Sequence, residues 1–430
     1  MTTEPTPERW QAALDRAQGT GRLPSVVGGV LRAGRVVWTG SSGDTPGVGQ
    51  QYRIGSITKT MTAVLVLQCR DDGLLDLDDP LGRHLPETGY RDATLRELLS
   101  HTSGMQAEPV GPWWERSPGV PVADLVAAND GTGRVLAPGV AFHYSNLGFA
   151  LLGEVVARLR GDDWWSLVRG RLLDPLGMTR TSYHPEAPHA QGSSVDHFAG
   201  TRYDEPHADT RAMAPAGQLW STVGDLARWL DLLATGHPDV IGPETLAEMA
   251  RPTTPPDGTA EEDYGLGLRV LRGAGGRILV GHTGSMPGFL ATAFVDRETR
   301  DGVVALTNAT TGVSTDRLAL DLLAGADPAH RTDPVEPWVP SAGVPDEVAE
   351  LLGLWFWGNS ALEIRWHNQL LEVRTLAPPE LSDRFAVTPD RIVGVEGYHL
   401  GETLHVHHRA NGTVDHLECT TFVYTRHPLR

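Results

Sequence analysis

The chain has 430 residues, of which 40% are hydrophobic, and its 36 basic and 54 acidic residues give a formal net charge of −18. This negative charge would repel nucleic-acid phosphates and anionic membrane surfaces, so both are excluded as partners. The length predicts one large domain and a smaller one, each with its own core.

The amino-terminal residues carry no basic stretch followed by an apolar run. No later stretch approaches the roughly 18 apolar residues of a membrane span. We therefore expect a cytoplasmic protein without a membrane segment. The two cysteines, Cys69 and Cys419, fit a reducing compartment and predict no disulfide.

The first three quarters of the chain mix strands at both ends with helices between them. Helices are predicted at 8–18, 56–72, 94–100, 121–128, 147–160, 164–173, 223–235 and 314–325, and strands at 26–32, 35–39, 264–271, 277–282, 290–296 and 302–308. The helix that begins at Ser56 is apolar on every face, which indicates burial at the domain centre. This order predicts an α+β domain whose sheet is assembled from the two ends of the segment.

A proline-rich stretch separates this region from a second one. Residues 326–347 contain five prolines and almost no periodicity, which is typical of a linker. Beyond it, the strand-like runs are at 362–366, 370–376, 391–395, 403–409 and 414–424. We therefore predict a catalytic domain at 1–325, a linker at 326–347 and a small antiparallel β-domain at 348–430.

Ser56 and Lys59 form the first candidate for chemistry. They are three residues apart at a helix start, so the hydroxyl and the amine share one helical face. Lys59 is the only lysine, since the other 35 of the 36 basic residues are arginine. A buried lysine can be neutral enough to take a serine proton, whereas arginine stays charged. We interpret Ser56 as a nucleophile and Lys59 as its base, against the alternative of a helix cap and a surface lysine.

Two further tripeptides complete the pattern. Tyr144-Ser145-Asn146 precedes a helix, where the phenol could move a proton and Asn146 could hydrogen-bond both Lys59 and a substrate amide. His282-Thr283-Gly284 ends a strand, where small residues let a substrate lie along the sheet edge. Each tripeptide alone would more often be a cap or a turn.

The order Ser-x-x-Lys, Tyr-x-Asn, His-Thr-Gly resembles the penicillin-recognising serine enzymes, which include class C β-lactamases, D,D-peptidases, D-aminopeptidases and related esterases. Stretches such as YRIGSITKTMTAVLVLQC, LLSHTSGM, FHYSNLGFALLGEVV and GHTGSMPGF carry the resemblance from about residue 25 to 310. It implies a β-lactamase/transpeptidase-like α+β domain, with an antiparallel sheet flanked by a helical subdomain. No Gly-x-Ser-x-Gly elbow occurs, which argues against an α/β-hydrolase.

The resemblance also implies roles for individual residues. Ser56 is acylated, Lys59, Tyr144 and His282 are catalytic, and the N–H groups of Ser56 and Ser285 form an oxyanion hole. The resemblance assigns four further residues to substrate binding: Asn146, Thr283, Gly284 and Trp220. His282 replaces a lysine common in the family, and a neutral imidazole would hold a β-lactam carboxylate less well.

The β-domain, with LLGLWFWGN near its start and CTTFVYTR near its end, looks like the lipocalin-like domain of penicillin-binding-protein-type thioesterases. That likeness implies release and cyclisation of a nonribosomal peptide with a D-configured C-terminal residue. It also suggests a peptidyl carrier protein as a partner. Arg426, near the end of the β-domain, could bind a substrate side chain or carboxylate. The alternatives are a cytosolic esterase, D-aminopeptidase or β-lactamase-like hydrolase, and an acyl sensor that never turns over.

The substrate is thus a peptidyl or small acyl group, with no cofactor and no metal. The histidines of His405-Val406-His407-His408 lie in a strand, and no carboxylate or cysteine is spaced along the sequence to complete a metal site with them. We therefore expect these histidines to face solvent.

Overall fold

A computed structural model of the chain describes residues 6–44, 47–253, 262–272, 276–310, 312–324, 335–378 and 381–429. They form two compact units, one of Met1–Ser193 with Asp204–Pro337 and one of Ser194–Tyr203 with Trp338–Arg430. Residues 325–334, which include much of the predicted linker, lie outside the described residues, so the predicted domain limits stay predictions. No helix among the described residues is long and apolar enough to cross a membrane.

The helices of the first unit follow the predicted order closely. They are α1 (Pro7–Gly21), α2 (Thr58–Asp71), α3 (Leu81–His84), α4 (Leu95–Leu99), α5 (Val122–Ala128), α6 (Asn146–Arg160), α7 (Trp164–Val168), α8 (Asp174–Leu176), α9 (Ala214–Gly217), α10 (Val223–Thr235), α11 (Pro243–Met249) and α12 (Thr315–Ala324). Two 3₁₀ turns, Gly55–Ile57 and Arg211–Met213, and one π turn, Arg169–Leu173, join some of them. Helix α2 is buried along almost its whole length, as its apolar sequence predicts.

Strands from both ends of the first unit build one antiparallel sheet. The strands up to residue 307 are β1 (Ser25–Arg32), β2 (Arg35–Gly43), β3 (Tyr52–Arg53), β4 (Ser193–Val195), β5 (Arg202–Asp204), β6 (Trp220–Ser221), β7 (Glu262–Tyr264), β8 (Arg269–Arg272), β9 (Ile278–Met286), β10 (Phe289–Asp296) and β11 (Gly302–Thr307). Seven of them form a sheet in the order β2-β1-β11-β10-β9-β8-β7. The predicted α+β class, with a sheet assembled from the two ends of the segment, is thereby confirmed.

One predicted strand of this sheet was wrong. The stretch 264–271 forms two strands, β7 and β8, with Gly265–Leu268 as the connection between them. Gly267 adopts a left-handed φ of 77°, which an extended strand does not contain. The apolar alternation of Leu266 and Leu268 reflects burial in this turn and not a continuous strand.

The second unit contains a closed antiparallel barrel of eight strands, each paired with its neighbour in sequence. Helix α13 (Asp346–Ala349) precedes the strands β12 (Gly353–Trp357), β13 (Ser360–His367), β14 (Leu370–Thr375), β15 (Ser382–Thr388), β16 (Arg391–Glu396), β17 (Thr403–His408), β18 (Val414–Cys419) and β19 (Phe422–Thr425). A small all-β region is confirmed. Strands β12 and β15 were not predicted, and 414–424 divides at Thr420, whose φ is 51°.

A short segment that interrupts the first unit in sequence, Ser194–Tyr203, belongs to the barrel unit. Between β4 and β5, the Phe198 carbonyl accepts a hydrogen bond from the Trp366 backbone at 2.7 Å. His197 Nε2 lies 2.8 Å from a carboxylate oxygen of Glu363. These contacts fasten 194–203 to the barrel, and no sequence pattern predicted them.

Candidate active site

Ser56 lies in the 3₁₀ turn Gly55–Ile57 that leads into α2. It is the one residue of 51–60 that is not buried. Gly55 has a left-handed φ of 50°, and a Cβ there would lie 2.6 Å from the backbone nitrogen of Ser285. Glycine is therefore needed for a turn that presents Ser56 beside β9.

Lys59 lies on the first turn of α2 with its side chain 0% exposed. Its Nζ lies 2.9 Å from Ser56 Oγ and donates to the Ala216 carbonyl at 2.7 Å. Burial lowers the pKa of Lys59 to about 7, although the carboxylates of Glu108 and Glu115 oppose that shift. A large fraction of the amine is therefore neutral near pH 7 and able to take the Ser56 proton.

Tyr144 lies just before α6, close enough to the Ser56 hydroxyl for that hydroxyl to affect its titration. Burial raises the pKa of Tyr144, and the interaction with Ser56 offsets only part of the rise. The phenol therefore keeps its proton at neutral pH, where it can donate to a leaving group. At neutral pH part of the Lys59 amine is therefore free to accept a proton, while the Tyr144 phenol still has a proton to give.

The two segments expected to form the oxyanion hole lie in direct contact. A Cβ on Gly284 would lie 1.9 Å from the Ile54 carbonyl oxygen and 3.1 Å from the Ser56 backbone nitrogen. In the described residues, β8 pairs with β9 only as far as Gly281. Residues 282–286 of β9 therefore extend beyond β8 and lie beside the turn that carries Ser56. The backbone nitrogens of Ser56 and Ser285 are thus brought to one place, as an oxyanion hole requires.

We expect Gly284→Ala to lower kcat/KM by at least about 100-fold, the scale of losing one oxyanion donor. The new methyl group would clash with the backbone of Ile54, and the clash can be relieved only if the segment of Gly284 moves away from the segment of Ser56. Gly170→Ala is the matched control, since a Cβ there has no neighbour within 4 Å. Ester hydrolysis and circular dichroism measure activity and folding, and a folded, fully active Gly284→Ala protein would contradict the assignment.

A chain of buried hydrogen bonds crosses the wall of the site from the start of α6 to β9. His101 Nδ1 accepts from the Ser145 backbone N–H at 3.0 Å, and its Nε2 lies 3.2 Å from Tyr264 Oη. Tyr264 Oη lies 3.1 Å from His282 Nε2, and His282 Nδ1 contacts the Thr283 carbonyl. The backbone donor and acceptor at the two ends fix the direction: His101 donates to Tyr264, Tyr264 to His282, and His282 to Thr283.

These hydrogen bonds change the interpretation of His282. Both ring nitrogens are engaged by the protein, and the side chain is buried. Burial lowers the pKa of His282 well below its usual range, so the ring is neutral. His282 therefore acts as a positioning residue for Thr283 and not as the predicted catalytic group or a cationic anchor.

Thr283 lies beside a guanidinium. Arg269 Nη1 donates to Thr283 Oγ1 at 2.5 Å, and the same guanidinium makes two hydrogen bonds to Asp316 at 3.2 and 3.0 Å. The Asp316 carboxylate holds the guanidinium in a fixed orientation. Thr283 is thus fixed through its side chain by Arg269 and at its carbonyl by His282.

Asn146 contacts the acidic loop that precedes it in sequence. Its Nδ2 donates to Glu108 Oε1 at 2.6 Å, while Trp114 Nε1 donates to the other Glu108 oxygen at 2.6 Å. Within the described residues, Asn146 Oδ1 is buried without a hydrogen-bond partner. The described hydrogen bonds of Lys59 go to Ser56 and Ala216, so the expected bond from Asn146 to Lys59 is not formed.

Two predicted substrate ligands have structural roles. Trp220 is 1% exposed, and its indole packs against His207 and Phe289 with ring centroids 4.7 and 5.1 Å away, so it belongs to the core. Arg426 lies in the barrel unit with its guanidinium 4.0 Å from the Trp355 ring centroid. Its nitrogens donate to the carbonyls of residues 350, 352 and 354, which fastens the end of the chain to the start of the barrel.

The residues that sequence reasoning missed are the acidic pair and the buried network, namely His101, Glu108, Glu115, Tyr264 and Arg269. One of them had a signal, since His101 lies in LLSHTSGM, one of the stretches that carried the resemblance. Isolated glutamates, a tyrosine and an arginine have no spacing to Ser56 that sequence alone could interpret. Folding brings them together from separate elements.

Comparison with known proteins gives the family. The profile described as Beta-lactamase matches residues 10–327, and a domain of unknown function, DUF7586, matches 344–426. The D-alanyl-D-alanine-carboxypeptidase/endopeptidase AmpH of Escherichia coli is 31% identical over 193 residues, 43% of this chain and 49% of AmpH. The chain spans about half the length of the curated relatives it matches.

Two solved structures resemble the chain over different extents. A D-stereospecific amidohydrolase from Streptomyces sp. is 27% identical with a TM-score of 0.65, covering 74% of this chain and 98% of its own. SurE is 25% identical with a TM-score of 0.63, covering 98% of this chain and 99% of its own. SurE has also been solved with D-Leu. The likeness to SurE thus includes the barrel unit.

Proposed function

The chain belongs to the Beta-lactamase family, and we propose that its Ser56 takes the acyl group of a peptidyl thioester ending in a D-configured residue and transfers it to an amine of the same peptide. It is an enzyme of the serine hydrolase type that forms an acyl-enzyme. The observation that carries the proposal is the Ser56 hydroxyl 2.9 Å from a buried lysine whose pKa is about 7.

The first half of the reaction uses groups already described. Lys59 Nζ takes the Ser56 proton as Oγ bonds to the thioester carbonyl carbon, and the N–H groups of Ser56 and Ser285 hold the oxyanion. The C–S bond then breaks and sulfur leaves with its electron pair. A thiol of pKa about 8.5 leaves as a thiolate with little help, whereas an amine must be protonated, as Tyr144 could do for an amide donor.

The second half needs an amine. Lys59 first returns the serine proton to the departing thiolate or to solvent, which restores the neutral amine. The acceptor nitrogen then attacks the ester carbonyl on Ser56 and Lys59 accepts the amine proton. Ser56 Oγ leaves and receives that proton from Lys59, directly or through Tyr144. The carboxylates of Glu108 and Glu115 act electrostatically on Lys59 and would attract the ammonium form of the acceptor. The same charges, with a neutral His282, disfavour substrates that must bind through a carboxylate, including β-lactams.

The whole-length likeness to SurE supports the D-configured peptide donor, because it extends over the barrel and one SurE structure contains D-Leu. Eight-stranded up-and-down barrels include the lipocalins, and in the proposed function a lipocalin-like barrel influences the choice of acceptor. The enzyme would work in the cytoplasm and receive the peptide from a peptidyl carrier protein.

A second candidate function is hydrolysis of D-amino-acid amides or esters. The acidic pair Glu108 and Glu115 favours it, since the free ammonium of an amino-acid amide would lie beside these carboxylates. The likeness to a D-stereospecific amidohydrolase supports the same chemistry. In this case water replaces the peptide amine as the acceptor.

The reaction products distinguish the two candidate functions, peptide cyclisation and hydrolysis. We expect a linear peptidyl thioester ending in D-Leu to give a cyclic peptide, and its L-Leu counterpart to react at least about tenfold more slowly. The matched control is the D-Leu substrate with an acetylated amino terminus, which can only be hydrolysed. Mass spectrometry distinguishes the two products. Linear acid alone, with rapid hydrolysis of D-amino-acid amides, would replace the first candidate by the second, and a single turnover would indicate an acyl sensor.

A further inference from the structure

Three side chains of the barrel unit meet near the end of β18. His399 and Glu402 lie in the connection between β16 and β17, and Cys419 is the last residue of β18. One nitrogen of His399, one carboxylate oxygen of Glu402 and Cys419 Sγ all lie within 4.8 Å of one another. The pairing of Leu404 with Cys419 places the cysteine beside this connection. Nitrogen, oxygen and sulfur ligands therefore converge from two elements.

His399 is prepared to act as a ligand. Its side chain is buried, with Nδ1 2.9 Å from Asp383 Oδ2, while Asp383 Oδ1 accepts from the His399 backbone N–H at 3.2 Å. The carboxylate holds the proton on Nδ1 and so leaves the lone pair on Nε2. Among the described residues, that buried Nε2 has no hydrogen-bond partner. Such an acceptor is costly to bury unless something binds it, and a carboxylate on the other nitrogen is the usual support of a metal-binding histidine.

Cys419 and Glu402 face each other in the same cluster. Cys419 is buried, and its Sγ lies 3.8 Å from Glu402 Oε2. Two ligands on a tetrahedral zinc ion, at about 2.3 Å for sulfur and 2.0 Å for oxygen, would be roughly 3.5 Å apart. The observed separation is therefore close to that of a ligand pair, and small side-chain rotations would bring in the imidazole.

We propose that the barrel binds one divalent zinc-class ion through His399 Nε2, a Glu402 carboxylate oxygen and Cys419 Sγ, with Asp383 as the positioning residue for His399. Mixed sulfur, nitrogen and oxygen ligands suit Zn²⁺ better than Mg²⁺ or Ca²⁺, which prefer oxygen. Three protein ligands leave a fourth position for water. Binding forms the metal–sulfur bond and releases the thiol proton to solvent, so atoms and charge balance.

The ion would tie the β16–β17 connection to β18. This site differs from the expectation of no metal, which considered only spacing along the sequence. His399 and Cys419 are twenty positions apart, and only the strand register brings them together.

A nearby cluster serves as the control. His407, His416 and Glu418 also lie close enough to share an ion, but all three are partly exposed. The two imidazoles stack with centroids 4.3 Å apart, and His407 Nε2 lies 3.1 Å from a Glu418 oxygen. This cluster lacks sulfur, so a sulfur-specific signal distinguishes the two.

The test uses the full chain, freed of metal by a chelator and titrated with Co²⁺ and then Zn²⁺. We expect one equivalent of Co²⁺ to give a strong near-ultraviolet thiolate-to-metal band, lost on adding Zn²⁺, with release of about one proton per ion. Cys419→Ser should remove the band and the proton. Asp383→Asn should weaken binding by about 10–100-fold, the scale of losing such a supporting carboxylate.

Cys69→Ser and His416→Ala are the matched controls and should leave the band unchanged. If Cys419→Ser does not fold, Glu402→Gln tests the same site through a partly exposed ligand, with an expected loss of affinity of at least tenfold. The proposal is overturned if no sulfur band forms, or if the band depends on Cys69 or survives Cys419→Ser.

Discussion

Replacing Ser56 by alanine is expected to abolish turnover, lowering kcat by roughly six orders of magnitude, the scale of losing a serine nucleophile. The hydroxyl is the group that Lys59 and Tyr144 both contact, so its removal leaves base and acid without a partner. The fold should survive, because the Ser56 side chain is only partly buried and its hydroxyl interacts with catalytic groups and not with the core. Turnover of a p-nitrophenyl ester and of a peptidyl thioester measures the effect.

Ser285→Ala is the matched control. It removes a hydroxyl but keeps the backbone N–H assigned to the oxyanion hole, so activity should change by less than about tenfold. Wild-type protein treated with a slow acyl donor should gain the acyl mass on the peptide that contains Ser56. Acylation mapped to Ser103, Ser145 or Ser285 would overturn the site assignment.

Lys59→Arg should slow acylation of Ser56 by roughly two to four orders of magnitude, the usual scale for losing a positioned general base. Arginine keeps the charge and the helix propensity, but its guanidinium does not become neutral and accept the hydroxyl proton. In the wild type, acylation should rise with pH through about 7, as Lys59 loses its proton. That rising limb should be missing from the variant.

Lys59→Met separates this effect from simple misfolding. The folded-state pKa of about 7 lies below the roughly 10.4 of a free lysine, so the unfolded chain binds more protons between these values. Wild-type stability therefore rises with pH across that window, and below it the buried charge destabilises the fold. Lys59→Met should be inactive yet at least as stable at pH 7. A folded Lys59→Arg protein that acylates at the wild-type rate would refute the role of base.

The catalytic pair could be predicted because it is local. Ser56 and Lys59 are three residues apart on one helical turn, and a lone lysine among arginines drew attention to the position. The burial of Lys59 was also predictable, since the sequence of α2 leaves no polar face. Helical periodicity carries this information within a few residues.

The residues around that pair were not predictable in the same way. Whether His282 points at a substrate or at Tyr264 depends on contacts between elements far apart in sequence. Trp220 lies in a stretch typical of the family, but its burial behind the site follows from packing against Phe289. Arg426 shows the same limit, because a terminal arginine has no pattern that foretells the carbonyls it binds.

Activation of Ser56 requires that the Lys59 amine be neutral near pH 7. Because Lys59 is the only lysine, selective ¹⁵N labelling of lysine side chains gives a single Nζ resonance, and its pH titration reads the pKa without mutation. We expect a midpoint near 7. A midpoint near the free-lysine value of about 10.4 would contradict it, since the amine would then be charged when the enzyme works.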